Sequence, residues 1–419
     1  LYFFGGDYAG LAAVIDIDED KEIIFGNDVD IDDIVWMGPQ PLMKDEAAKV
    51  GVHRSEPLSK LEGYIKDAVA KGRRVHFIPQ YRDDNRILLS GMLGLPIAGV
   101  NEKASLDLVL AVISQRLIKE ECEIREIDMA CNLGYAMHYT AMKMMRLGMV
   151  EQELVGVMEG VVRSGGYMCS FPTILSQHGE TMHNHAHEGI LTEGKLCVID
   201  AGAETGSHYC SDNTRTLPCG GRFTQKHKEI YDIVVTANDY ARETARPGIT
   251  YKEVHLGAAR IIVQGLANLG LVHGDTDEMV AAGVQGLFMP HGLGHNMGLD
   301  VHDMEDLGEN YVGYDPDQTR ARQLGLGSLR MARRLVPGNV ITDEPGIYFI
   351  PALIEQWKFE GKGDGCINYK KLEEYYDFGG IRLEDDLLVT ADGVRRMGAG
   401  RLPIAPDDVE TEMEKDKNL

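Results

Sequence analysis

The sequence predicts an α+β chain of two domains: a smaller α/β N-terminal domain over residues 1–114 and a larger domain over 115–419. Three observations predict this. At 419 residues the chain exceeds what one hydrophobic core usually serves. Residues 1 to about 112 alternate short strand-like and helix-like runs. The remainder combines long helical runs with apolar strands that end on carboxylates.

In the first domain, Leu11 to Ile17 and Glu22 to Phe25 are apolar runs across an acidic turn, which predicts a hairpin. Residues 57–71 have helical spacing, and Arg74 to Ile78 reads as a strand. Asp16-x-Asp18-x-Asp20 and Asp28-x-Asp30-x-Asp32 begin like calcium loops. Both lack glycine at the sixth position and glutamate at the twelfth, so solvated turns are expected. The opening Leu1-Tyr-Phe-Phe reads as a strand already under way, and a domain lacking its beginning is expected.

In the second domain a long helix is expected from about Arg116 to Arg146, with Ile124, Ile127, Met129, Leu133, Met137 and Met142 on its apolar side. Its frequent methionines read as core filling. Arg146 to Glu153 resembles Arg246 to Glu253, each lying between two helices. Gly148 and Gly248 suit helix C-terminal turns, and Thr250 with Glu253 makes a capping box. Two related halves, each of two helices and an antiparallel sheet, would follow.

The chemistry lies in separate segments of that domain. Leu196 to Asp200 is a strand ending at a carboxylate, and His208 to Thr216 returns beside it, which can set Asp200 and Asp212 on one face. Adjacent carboxylates without a cation would force a proton onto one of them. His291-Gly-Leu-Gly-His295 and His302 gather imidazoles where glycine allows close backbone approach. His183, His185 and His187 would share a face if their segment were a strand, with one of them reaching the site. Glu344 precedes a proline that holds it extended, with Asp343 on the opposite strand face. Arg382 and Glu384 share a face, so the arginine can orient a ligand carboxylate or bind a substrate's. Four carboxylates and one imidazole (Asp200, Asp212, His295, Glu344, Glu384) can share two divalent cations, and such a pair activates water. The oxygen-rich set suits manganese or cobalt better than zinc.

The formal charge of −24 argues against nucleic acid or an anionic membrane as partner. No apolar run reaches the roughly eighteen residues needed to span a bilayer. Seven cysteines, without a Cys-x-x-Cys pair, read as reduced thiols of a cytoplasmic protein.

These segments, in this order, resemble the metallopeptidase family of Xaa-Pro aminopeptidases, prolidases and methionine aminopeptidases, over about residues 115–400. The resemblance implies a pita-bread catalytic domain, preceded by a creatinase-type N-terminal domain that methionine aminopeptidases generally lack. It also implies two metals, most often manganese with cobalt or zinc possible, on Asp200, Asp212, His295, Glu344 and Glu384, with Asp212 and Glu384 bridging. His183, His291 and His302 match the family's non-ligand histidines for substrate and proton movement, and Arg382 its arginine near the last glutamate. Glu344 would assist proton transfer. Two departures stand out: Asp200 and Asp212 are twelve apart where eleven is common, and Asp343 replaces an apolar or hydroxyl residue. The implied activity is cleavage of the Xaa-Pro bond at a peptide N-terminus, with a dipeptide-restricted prolidase as the nearest alternative. A non-catalytic binding module or a metal-free creatinase-like hydrolase is disfavoured by the intact ligand set. A homo-oligomer, dimer or tetramer, is expected from the same resemblance.

Overall fold

The expected hairpin forms from strands Ala12–Asp16 and Lys21–Phe25, whose antiparallel register sets Ala12 opposite Phe25 and Asp16 opposite Lys21. The structure is a computed structural model describing residues 1–415; residues 416–419 of the expected second domain lie outside the described residues. The chain divides into two units, Leu1–Val109 and Leu110–Leu419.

In the first unit the short strand Ser55–Glu56 joins the hairpin in parallel. Helices Leu61–Ala70 and Asp83–Leu93 bury Leu61, Ile65 and Met92 against Ile23 and Phe25. Two expectations need correction. Residues 74–78 carry no regular secondary structure and join no sheet ladder; the backbone N–H of Ser105 reaches Phe77 O instead. Strand-like composition does not supply a hydrogen-bonding neighbour. Nor are both acidic turns simply solvated: Asp16 is buried and bonded to Arg73 and Tyr64. In the other turn Asp30 caps helix Ile31–Met37 through a reciprocal box with Asp33.

The expected long helix forms, as Glu121–Met144, but it begins later than expected: Arg116 instead ends a separate helix, Leu106–Arg116. Between them the N–H of Lys119 bonds Gly338 O at 2.8 Å, and its buried ammonium reaches Asp303 Oδ2 at 2.8 Å. Tertiary partners therefore outcompete the helical ladder, and Glu120 starts a new helix with a capping box to Glu123. The expected apolar positions from Ile124 to Met142 all fall on that second helix.

Two halves then repeat one plan. Helices Glu121–Met144 and Glu151–Ser164 accompany an antiparallel sheet of Ile174–Ser176, Leu196–Ala201 and Asn213–Pro218. Helices Gln225–Thr244 and Tyr251–Asn268 accompany Val340–Asp343, Asp385–Val389 and Val394–Arg396. The repeat extends to the backbone. Gly148 (φ 84°) and Gly248 (φ 93°) each end the turn between paired helices. Their N–H groups bond Leu191 O and Leu335 O, both at 2.9 Å. Met137, Met142, Met145 and Met158 fill the core between the layers.

An isolated bridge between Thr214 and Glu384 joins the sheets of the two halves. Among the described residues no helix is long and apolar enough to cross a membrane, and the seven cysteines form no disulfide.

Candidate metal centre

Strand register assembles the site. Asp200 pairs with Thr214, and Thr214 bridges to Glu384. Asp343 opposite Asp385 and Gly346 opposite Arg382 share one register, which sets Glu344 across from Glu384. Asp200 and Thr214 on paired strands, and Glu384 and Glu344 in facing breaks between strands, thus form a row. Asp212, two residues before Thr214, lies on the same face. His295 joins from the next segment, where its carbonyl accepts from Thr342 N at 3.0 Å. That approach needs Gly294, where a Cβ would lie 2.1 Å from Thr342 O.

Ligand-type atoms of Asp212, His295 and Glu384 lie within 4.8 Å of one another, the one such group among the described residues. His295 Nε2 is 3.4 Å from Asp212 Oδ2 and 3.7 Å from Glu344 Oε1. Its Nδ1 donates to Asn296 O at 3.0 Å, leaving Nε2 bare toward the carboxylates, as a metal-binding imidazole requires. Glu384 Oε2 accepts from Thr214 Oγ1 at 2.7 Å. Asp200 Oδ2 accepts from Arg382 Nη2 at 2.6 Å, so Asp200 is turned toward the arginine.

The donors fit divalent cations. Asp200 Oδ1 and Asp212 Oδ1 are buried without a hydrogen-bond partner. A buried carboxylate oxygen needs a donor or a cation. Burial, and then Glu384 and Asp200, raise the Asp212 carboxyl well above its ordinary value. Burial, then Glu344 and Asp200, do the same to Glu384. Burial pushes Glu344 up to about 7. Divalent ions reverse this logic by favouring the ionised forms.

These groups line a cavity of about 440 Å³ together with His183, His291, His302 and Arg382. His183 sits on a loop, not a strand, so the alternation of His183, His185 and His187 places no shared face; His183 alone of the three lines the cavity. His187 Nδ1 instead contacts Leu175 O at 3.0 Å. His291 Nδ1 donates to Gly292 O at 2.7 Å, and its Nε2 lies 3.0 Å from the Tyr348 hydroxyl. Burial, then Arg382, lower His291 to about 3, so it is neutral. His302 packs edge-on against His295 with ring centroids 4.4 Å apart.

Sequence reasoning missed several participants. Tyr348 links His291 to Arg382, whose Nη1 donates to it at 3.0 Å. Thr214 takes Arg382 Nε at 3.1 Å and holds Glu384. Arg320, Ser328 and Arg330 complete the lining from an irregular segment with no periodicity to mark it. For Thr214 the strand register was the available signal, since it faces the same way as Asp212.

Residues 125–391 match the model of metallopeptidase family M24, and residues 1–76 that of the aminopeptidase P N-terminal domain. A "Probable Xaa-Pro aminopeptidase" of Sordaria macrospora is 32% identical, covering 99% of this chain and 85% of that protein. The Xaa-Pro dipeptidase of Homo sapiens is 31% identical, covering 93% and 79%. A glutamate-to-alanine variant of Escherichia coli aminopeptidase P in complex with substrate superposes with TM-score 0.77 at 28% identity, covering 98% of this chain and 87% of that one. A zinc-substituted form of the E. coli enzyme, in complex with product, superposes at 0.74 with 29% identity, covering 95% and 83%.

Proposed function

We propose, from the premise that this chain belongs to metallopeptidase family M24, that it is an Xaa-Pro aminopeptidase removing the first residue from peptides with proline second. The chain is an enzyme of that family, with the pita-bread catalytic fold behind an aminopeptidase P-type N-terminal domain. The observation that carries the activity is the row of Asp200, Thr214, Glu384 and Glu344, whose three carboxylates face one cavity together with Asp212 and His295.

Asp200, Asp212, His295, Glu344 and Glu384 would hold two divalent ions, manganese first by the oxygen-rich donor set and cobalt or zinc as substitutes. Bound there, the ions supply Lewis acidity and an acidified water. Glu344, which lines the cavity beside His295, accepts the proton released as the substrate carbonyl is attacked. His302 takes up and passes on a proton during the same step. His183 and His291 border the substrate, and the His291–Tyr348–Arg382 chain orients Asp200. The acidic cluster attracts the substrate's free amine.

A second reading, a prolidase restricted to Xaa-Pro dipeptides, has one observation in its favour. Two guanidinium groups, Arg320 and Arg330, line the same cavity and suit a nearby C-terminal carboxylate. Steady-state rates on an Xaa-Pro dipeptide and an Xaa-Pro-Xaa tripeptide separate the readings. Turnover of the tripeptide supports the aminopeptidase; turnover of the dipeptide alone overturns it in favour of the prolidase.

A cytoplasmic location fits the seven unpaired thiols, and a net charge of −24 fits a protein with no nucleic-acid partner. The homo-oligomer is proposed from resemblance to relatives with this N-terminal domain.

A further inference from the structure

We propose that Glu305 is a positioning residue for the peptidase reaction, fixing His302 with its proton on Nδ1 so that Nε2 is the nitrogen presented to the substrate. The inference deepens the peptidase reading and rests on the role given there to His302.

Geometry carries it. His302 Nδ1 and Glu305 Oε2 are 2.8 Å apart. The other carboxylate oxygen, Oε1, accepts from Arg330 Nε at 3.2 Å. With a guanidinium on one oxygen, the carboxylate acts as an acceptor, so the imidazole supplies the hydrogen from Nδ1. His302 and Arg330 both line the cavity, whereas Glu305 is absent from its lining and touches both from behind. Glu309 also faces Arg330, at 3.3 Å, so the guanidinium is held between two carboxylates.

The backbone between the partners is an independent observation. Met304 is buried and adopts φ 63°, a left-handed conformation that non-glycine residues seldom adopt. The N–H of Glu305 closes the turn on His302 O at 3.2 Å, and Leu307 N follows on Met304 O at 2.9 Å. Strain of this kind persists where the surroundings over-determine it, and it clusters at functional sites. Here it turns Glu305 back onto His302, three residues earlier.

The arrangement follows the logic by which a carboxylate sets the tautomer and aim of a working imidazole. Glu305 also holds Arg330, so the part of its effect that runs through His302 is the part that a His302→Ala background removes.

The test uses the full chain on an Xaa-Pro-Xaa tripeptide and an Xaa-Pro dipeptide. Wild-type turnover of either comes first, because its absence would sink the peptidase reading and not this inference. Given turnover, Glu305→Ala is expected to lower kcat by about ten- to hundredfold. In a His302→Ala background the same substitution is expected to cause a much smaller loss, limited to what its contact with Arg330 contributes. Undiminished kcat in Glu305→Ala, or an equal loss in both backgrounds, would overturn the proposal. A second measurement does not depend on any variant. Nitrogen-15 imidazole spectra of the zinc-loaded wild type should show His302 protonated on Nδ1, and a proton on Nε2 instead would equally overturn it.

Discussion

Arg382 donates from Nη2 to Asp200 Oδ2 at 2.6 Å, and both side chains are buried. Burial works against the arginine's charge, but Tyr348 and Asp200 keep it protonated well above the ordinary value. Removing one member of a buried pair leaves the other uncompensated, at a cost of about 3–5 kcal/mol. Arg382→Met should therefore lower the melting temperature of the metal-free protein as well as abolish turnover. A variant that melts like the wild type would show that the pair is not doing this work.

Glu344 tests the chemistry. Glu344→Ala should abolish hydrolysis while circular dichroism and gel filtration remain those of the wild type. Losing a proton-transfer group costs about 10²–10⁴-fold, and a lost ligand adds to this. Retained turnover would remove Glu344 from the mechanism.

Tyr348 accepts from Arg382 and contacts His291, and it was invisible as a site residue in the sequence. A hydrogen bond to a charged group contributes about 1.5–3 kcal/mol. Tyr348→Phe should then reduce kcat/KM roughly ten- to hundredfold, with metal content by atomic absorption unchanged. A loss of bound metal would mean that the hydroxyl supports the ligands themselves.

The metal-free site should make stability depend on pH in a defined direction. Burial holds the Glu344 carboxyl at about 7 against an ordinary 4.5, and Asp212 and Glu384 are raised as well. A carboxyl with a raised folded-state value binds more protons folded than unfolded. Its contribution is full below about pH 4.5 and is lost as the pH rises through about 7. The chelated protein should melt at lower temperature near neutrality than near the acid end of that window, and added Mn²⁺ should raise the melting point more at neutrality. A manganese effect independent of pH would contradict this.

Gly294 shows why the glycines of the histidine segment matter. A Cβ there would stand 2.1 Å from Thr342 O, a backbone atom that cannot swing away. Gly294→Ala should move His295 off the carboxylate cluster and weaken metal binding by calorimetry. Wild-type affinity would show that the loop accommodates the methyl elsewhere.

The legible parts of the site were those with local punctuation. Asp200 ends an apolar strand, Glu344 precedes a proline, and His295 follows two glycines, so each could be picked out from its own segment. Tyr348 and Arg330 have no such mark, and only the folded register brings them to the cavity. The helix break at residues 117–120 was hidden for a related reason. Lys119 leaves the helical ladder for Asp303 and Gly338, partners more than 180 residues away. The 74–78 segment failed in the opposite way: its composition favours a strand, but no neighbouring strand completes a ladder.

Metal titration of turnover tests the central claim most directly. The chelated protein should leave an Xaa-Pro-Xaa tripeptide intact and regain hydrolysis as Mn²⁺ is added, with activity saturating near two ions per chain and none returning to the Glu384→Ala variant. Hydrolysis that persists in chelator, or that returns equally in Glu384→Ala, would contradict a dinuclear site built on this residue row.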